Sequence, residues 1–330
     1  GWEPETGKHL WRRWTVPGPG EKGHETWIPS ESYKNGGASA WITGSYDPEL
    51  DLAYWGTGNA GPWNPENRKG DNLYSASILA IRPSTGEIVW HYQVVPNDIY
   101  DWDTVWELVL ADMKIDGQNR KVVMQLNRSG FLYVLDRTNG KLLSAKPYEK
   151  VTWATHVDMA TGRPVESEDS KRLRAGEKIE MWPSTRGAKN WPHVAYNPTN
   201  GLVYATTNHM YSNYRFIPVG EFKPGFRYQG IENSYSPLDK NTLAGHIEAI
   251  DPLTATAKWR MPLYGEVIGS SILATGGGLL FTGKHTGEFI AIDADKGEIV
   301  WQFKTPSGIN AQPITWTKNG KQYVTILSGL

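Results

Sequence analysis

The chain has 330 residues and a formal net charge of −1, with 34 Lys and Arg against 35 Asp and Glu and no Cys. Near-neutral charge without a Lys/Arg run argues against nucleic acid as a partner. The lack of Cys removes disulfides and thiolate chemistry, and no stretch approaches the roughly 18 apolar residues of a membrane span. Sixteen Trp and 35 Gly are the unusual numbers, and an excess of so large a ring needs a repeated structural use.

The N-terminus, Gly1-Trp2-Glu3-Pro4, carries no basic or apolar leader pattern. A partial repeat follows, Pro4-Glu5-Thr6-Gly7 to Trp11, without the apolar strand that precedes the later copies. Ala38-Ser39-Ala40-Trp41 lies outside the repeat register, so Trp41 is less expected to be a structural wedge than the repeat tryptophans. A strand at 53–56 leads into Thr57-Gly58-Asn59-Ala60-Gly61-Pro62-Trp63-Asn64. Small residues around Asn59 permit close approach, and an amide oxygen can complete a hard-cation site. An Asn in a left-handed turn explains the same residues.

The first full repeat is residues 78–90, an apolar strand, a turn at Ser84-Thr85-Gly86, and a second strand ending at Trp90. The acidic stretch 96–103, Pro-Asn-Asp-Ile-Tyr-Asp-Trp-Asp, sits between a strand at 87–95 and another at 121–125. If extended, it points Asp101 and Asp103 to one side, because the strand period is two. Two like charges side by side become favourable around a multivalent cation; a solvated acidic turn is the alternative.

Further copies are 132–144, with Ser144 for the Trp, 247–259, with Ala255 for the Gly, and 289–301. Each reads as a hairpin with a Gly-containing turn. Trp259 and Trp301 are 42 residues apart (301 − 259), the length of a four-stranded blade. Short strands in radial repetition predict an all-β propeller in which the repeat Trp wedges between blades. Residues 151–186 and 211–239 read as insertions over the blades. Both ends look cut, so an internal piece of roughly five to six blades is expected.

The repeat, the Thr-Gly-Asn-x-x-Pro-Trp-Asn loop, Gly70-Asp71-Asn72 and the pattern around Asp101 together resemble the pyrroloquinoline quinone (PQQ)-dependent methanol/ethanol dehydrogenases. The resemblance covers essentially the whole chain and implies part of an eight-bladed quinoprotein β-propeller. It implies Asp101, at Tyr100-Asp101, as catalytic base and Asn59 as a metal ligand. It further implies Trp41 as the floor under PQQ, Ser39 at the cofactor's edge, and Arg128 (in Asn127-Arg128-Ser129-Gly130) and Asn190 (in Lys189-Asn190-Trp191) at the quinone oxygens. Asp103 matches the second Asp of the lanthanide-dependent members, where calcium members have a small or hydroxyl residue; a third ionic charge explains the extra carboxylate.

The implied activity is oxidation of a small primary alcohol by hydride transfer to the quinone, with Asp101 as base and the metal as Lewis acid. The implied acceptor is a periplasmic cytochrome c, and a homodimer is left open. The family's metal-binding Glu and adjacent cysteine pair have no counterpart here. Ile268-Gly269-Ser270-Ser271 departs from the family's Trp or Asn over the cofactor. Two alternatives stand beside this: a calcium-dependent alcohol dehydrogenase, and a non-catalytic propeller of the outer-membrane assembly type, which would lack the cofactor set.

Overall fold

The structure, a computed structural model, describes residues 1–265 and 269–329. Four antiparallel four-stranded sheets form in strict chain order. The first blade is Ser45–Asp47, Leu52–Gly56, Ser77–Arg82 and Glu87–Gln93. The second is Val109–Ile115, Gln118–Leu126, Phe131–Asp136 and Leu142–Pro147. The third is Ala195–Asn197, Leu202–Asn208, Leu243–Ile250 and Ala257–Tyr264, and the fourth Leu273–Ala274, Leu279–Gly283, Glu288–Asp293 and Ile299–Lys304. Ile314–Lys318 and Lys321–Thr325 pair as a further hairpin. The incomplete propeller is thus four complete blades and a two-stranded piece of the next among the described residues, and residues 151–186 build small elements of their own, as an insertion should.

Alternation explains how one strand serves two neighbours. In the second blade Val123, Tyr133 and Leu135 face the first blade's Tyr54, Ala80 and Trp90. Val122, Met124, Leu132 and Val134 face the third blade's Val203, Ala205 and Ile250. A third cluster joins Tyr204 and Ala249 to Leu280, Ile290 and Ile292 of the fourth blade.

The repeat has one mechanical meaning. In each complete blade a bulge interrupts the last strand pair, after Ala80, Val134, Ala249 and Ala291, where the turn supplies its residue in the left-handed region: Gly86, Gly140, Ala255 and Gly297. Against each of the three Gly turns lies a Trp from the preceding repeat copy. Trp90 donates its indole N–H to Arg137 O at 3.2 Å and Trp259 to Ala294 O at 2.9 Å, and Trp11 reaches Pro83 O at 2.7 Å in the same way. A Cβ on Gly86, Gly140 or Gly297 would come within about 2.6 Å of the corresponding indole, so the glycines are there to let the ring in.

The exceptions coincide. Ser144 replaces the Trp in the second blade, and its cross-strand partner is Val134, where the Trp-bearing blades have Ala80, Ala249 and Ala291. The next turn along is the one with Ala255 in place of Gly, its methyl buried in the seam. One seam has exchanged a Trp–Ala–Gly set for Ser–Val–Ala.

The insertions join each other. Ile179–Met181 from the first pairs with Ser212–Phe216 from the second, which pairs with Ile231–Tyr235. The first also carries the α-helix Glu168–Arg174, whose N-cap Ser167 accepts from Ser170 N at 3.1 Å. Among the described residues no helix is long and apolar enough to cross a membrane.

Candidate active site

Three connections meet at the ends of strands Leu52–Gly56 and Gln118–Leu126 in the first two blades. Residues 37–39 run beside 58–60: Gly58 N donates to Ser39 O at 2.9 Å and Ala38 N to Asn59 O at 2.7 Å. The loop after the first blade returns along Thr57, with Thr104 N donating to Thr57 O at 2.9 Å. From the second blade, Gln125 Nε2 donates to Thr104 O and Trp106 O, and Asn127 Nδ2 to Thr104 Oγ1.

Asp103 is the centre of this meeting. Its Oδ1 accepts the Asn59 backbone N–H at 2.6 Å and its Oδ2 accepts the Trp41 indole N–H at 3.2 Å. Gly58 makes room: a Cβ there would sit 2.7 Å from Asp103 Oδ1 and 3.1 Å from Ser39 Oγ. Arg128 spans the two acids, Nη2 lying 3.3 Å from Asp101 Oδ2 and Nη1 3.5 Å from Asp103 Oδ2. The same Nη2 also donates to Thr185 O.

Asp101 and Asp103 therefore do face a common partner, but not because the segment is extended. Asp101 has φ +67°. The turn is held by Asp98, whose carboxylate oxygens accept Tyr100 N at 2.9 Å and Trp102 N at 2.8 Å. Tyr100 and Trp102 stack at 4.2 Å and are buried among Trp153 and Tyr214, which turns Asp101, and Asp103 after it, toward Arg128.

Burial pushes the Asp101 carboxyl up to about 7; Arg128 pulls it down, and the Asp103 and Asp98 carboxylates add to the rise. Some 26% of its side chain still meets solvent, so it is both poised near neutrality and reachable. Trp41 is 49% exposed and meets Trp106 edge-on at 5.4 Å. It is not buried between blades. Trp106 in turn lies between two cations, the Arg128 guanidinium at 5.6 Å and the Lys189 ammonium at 5.2 Å from its ring centre. Lys189 is fully buried and paired with Glu107 at 2.8 Å.

Of the residues singled out from sequence, Trp41, Asn59, Asp101, Asp103 and Arg128 are joined by direct contacts, and Ser39 borders them through Gly58. Asn190 is not joined directly. Its amide donates to Arg186 O at 2.7 Å and accepts from Trp191 N at 2.9 Å, closing its own turn. That turn touches the cluster through Ala188 N, which donates to Arg128 O at 2.9 Å, and Gly187, where a Cβ would collide with the Arg128 side chain. Ile268 lies outside the described residues. Sequence reasoning missed Trp106, Thr185, Lys189 and Arg68; of these only Lys189 lies within a quoted motif, beside Asn190.

Residues 1–159 and 241–324 match the PQQ family model described as glucose/ethanol/alcohol dehydrogenase, β-propeller domain. Quinohemoprotein alcohol dehydrogenase ADH IIB of Pseudomonas putida is 43% identical over 99% of this chain and 49% of its own length. Quinoprotein alcohol dehydrogenase PedH of Pseudomonas putida is 38% identical over 99% of this chain and 58% of its own. Among solved structures, quinohemoprotein alcohol dehydrogenase ADHIIG from Pseudomonas putida HK5 superposes with a TM-score of 0.91 at 37% identity, over 100% of this chain and 52% of that one. A europium-containing methanol dehydrogenase gives 0.88 at 37% identity, over 96% of this chain and 55% of that one. The chain spans about half the length of the curated relatives it matches.

Proposed function

The chain belongs to the glucose/ethanol/alcohol dehydrogenase family of PQQ β-propellers, and on that premise we propose that it serves the oxidation of small primary alcohols to aldehydes, with PQQ as acceptor and a lanthanide ion beside it. One observation carries the reading: Asp101 and Asp103 share the Arg128 guanidinium, while Asn59 and Trp41 both bond to Asp103.

The donor set fits both groups. Two carboxylates and the Asn59 amide offer oxygens, the ligand type that hard cations take. The Asn59 side chain donates to Ala60 O at 3.3 Å, a bond that leaves its Oδ1 free to ligate. No group of three or more His, Cys, Asp or Glu suited to a metal occurs among the described residues, so Asn59, Asp101 and Asp103 would hold the ion with further oxygens from outside this set. Arg128 Nε is buried without an acceptor among the described residues, a donor available to a quinone oxygen. Trp41 offers a half-exposed ring for a flat heterocycle to lie on, with Ser39 at the edge and Asn190 on the turn behind Arg128.

When bound, PQQ supplies the hydride acceptor and the cation a Lewis acid at its carbonyl. Asp101 takes the hydroxyl proton of the alcohol as general base, its side chain still open to solvent beside Arg128. Arg128 keeps that carboxylate aimed inward and offsets negative charge developing beside it. Asp103 supports the lanthanide assignment through charge, and one similar structure is a europium-containing methanol dehydrogenase. Two of the relatives are quinohemoproteins, which supports a cytochrome-type acceptor; a periplasmic location is part of the same proposal.

The test is reconstitution of the full chain with PQQ and either calcium or a light lanthanide, followed by dye reduction with primary alcohols. Lanthanide-dependent turnover that Asp101→Asn reduces by roughly 100-fold or more, in the range of lost general-base catalysis, is expected. Turnover unaffected by Asp101→Asn would end the assignment of the base, and turnover with calcium alone would end that of the ion.

A further inference from the structure

Arg68 is a long cation with no solvent exposure and, among the described residues, no carboxylate in salt-bridge contact. Its hydrogen bonds go to three different places. Nε donates to Pro62 O, in the loop that carries Asn59; Nη2 donates to Asp98 O, at the start of the turn that carries Asp101 and Asp103; Nη1 donates to Asn72 Oδ1 at 2.8 Å. Asn72 is itself fixed by Asn97 Nδ2 at 2.9 Å and by its own bonds to Thr26 O and Lys69 O, both at 3.3 Å. The other end of the Asp98 residue completes the link, its carboxylate holding Tyr100 N and Trp102 N.

Burying a guanidinium is expensive, and the cost is tolerated only where its donors are used. Burial lowers Arg68 to about 10, so it stays charged at neutral pH. Hydrogen bonds to two backbone carbonyls in separate loops fix the distance between those loops, which a neutral or flexible side chain would not do.

We propose that Arg68, acting with Asp98, is the positioning residue of the cation site: it sets the separation between the Asn59 loop and the Asp101–Asp103 turn. The inference rests on the proposed metal-binding reading of those three residues. It makes a prediction opposite in sign to simple electrostatics. Removing a positive charge near a cation site tightens cation binding by Coulomb's law. Removing the bridge between the two ligand loops loosens it, because outer-shell partners that orient ligands are worth about 10- to 100-fold in metal affinity.

The experiment is titration of the full chain, free of metal and PQQ, with Tb³⁺, reading terbium emission sensitised by indole excitation; Trp41, bonded to Asp103, is the antenna. Wild type is expected to bind. Arg68→Met is expected to bind about 10- to 100-fold more weakly at a temperature where unfolding curves show it folded. Arg68→Lys keeps the charge and the fold but cannot span both carbonyls, and is expected to weaken binding in the same direction. If Arg68→Met fails to fold, Arg68→Lys decides. Wild-type affinity or tighter in a folded variant overturns the proposal, since a residue that merely stabilises the fold would change the melting point and not the affinity. No Tb³⁺ binding by wild type would remove the metal reading and this inference with it, whereas wild-type binding with unaltered variants would remove this inference alone.

Discussion

Gly140 and Gly117 both have φ +77°, and their surroundings differ completely. An alanine Cβ at Gly140 would lie 2.6 Å from Trp90 Cε3 and 2.8 Å from Cδ2; at Gly117 it would meet nothing within 4 Å among the described residues. The backbone term is common to both, about 1–2 kcal/mol for an L-residue in the left-handed region. The packing term applies only to Gly140→Ala. Trp90 cannot retreat, being 9% exposed and bonded through its indole N–H to Arg137 O, so overpacking adds about 1–3 kcal/mol. Gly140→Ala is therefore expected to cost about 2–5 kcal/mol and Gly117→Ala about 1–2 kcal/mol. Parallel denaturant unfolding measures the difference, and a cycle with Trp90→Leu isolates it: without the indole, the cost of Gly140→Ala falls to that of Gly117→Ala. Equal costs in the wild-type background would refute the account of the repeat as a ring packed on a bare turn.

Three other outcomes follow from the same geometry. Ser144→Trp alone is expected to destabilise by about 1–3 kcal/mol, and adding Val134→Ala and Ala255→Gly should recover most of it, since the seam would regain the set found in the Trp-bearing blades; unfolding midpoints check this. Asp103→Ala is expected to weaken lanthanide binding by more than the roughly 10- to 100-fold of outer-shell changes, measured by competition with a chelator, and full lanthanide-dependent activity in that variant would contradict the assignment. The Lys304 ammonium and Thr286 hydroxyl hold the Glu288 carboxyl at about 2, below its ordinary value. Its stabilisation is then fully present above about pH 4.5 and is lost as pH falls toward 2. Lys304 is largely exposed, so screening reduces the roughly 3 kcal/mol implied by the shift to about 1 kcal/mol, which Glu288→Gln should remove from the acid limb of the stability curve.

What is legible in the sequence is whatever is local and repeated. The hairpins are visible because apolar alternation, a turn and an aromatic recur in one frame, and the seam Trp because so large a ring in register has one packing use. The paired acids are visible too, but an extended strand is not what gives them their common direction. Asp101 turns through a left-handed conformation that Asp98 imposes, and a side chain that accepts from the amides two and four residues on is not readable from spacing alone. Asn190 shows the converse: a polar residue beside the site whose own turn consumes its amide. Arg68 and Trp106 carry no signal, since their partners at residues 62, 72, 98, 128 and 189 meet only once the blades are assembled. The insertions at 151–186 and 211–239 are legible as breaks in the repeat frame, but their pairing with each other is not, since Ile179–Met181 and Ser212–Phe216 lie far apart in the chain.

The charge arrangement around Arg128 bears on which ion the site would hold. Two carboxylates and one guanidinium leave one net negative charge, and the two ion-pair distances of 3.3 and 3.5 Å are longer than the roughly 2.7–2.9 Å of a tight charge-assisted bond. Arg128 therefore orders the acids without saturating them. At about 4 Å and an effective dielectric constant near 20, each added unit of ionic charge gains about 4 kcal/mol per carboxylate. A second carboxylate thus favours a trivalent over a divalent ion by about that amount before dehydration is counted, and dehydration opposes it more strongly for the trivalent ion. With Asp103 removed, the extra gain vanishes while the dehydration cost stays. On the proposed reading the balance then shifts toward calcium, so Asp103→Ala is expected to change the ion preference of the site, and an unchanged lanthanide-over-calcium preference in that variant would contradict it.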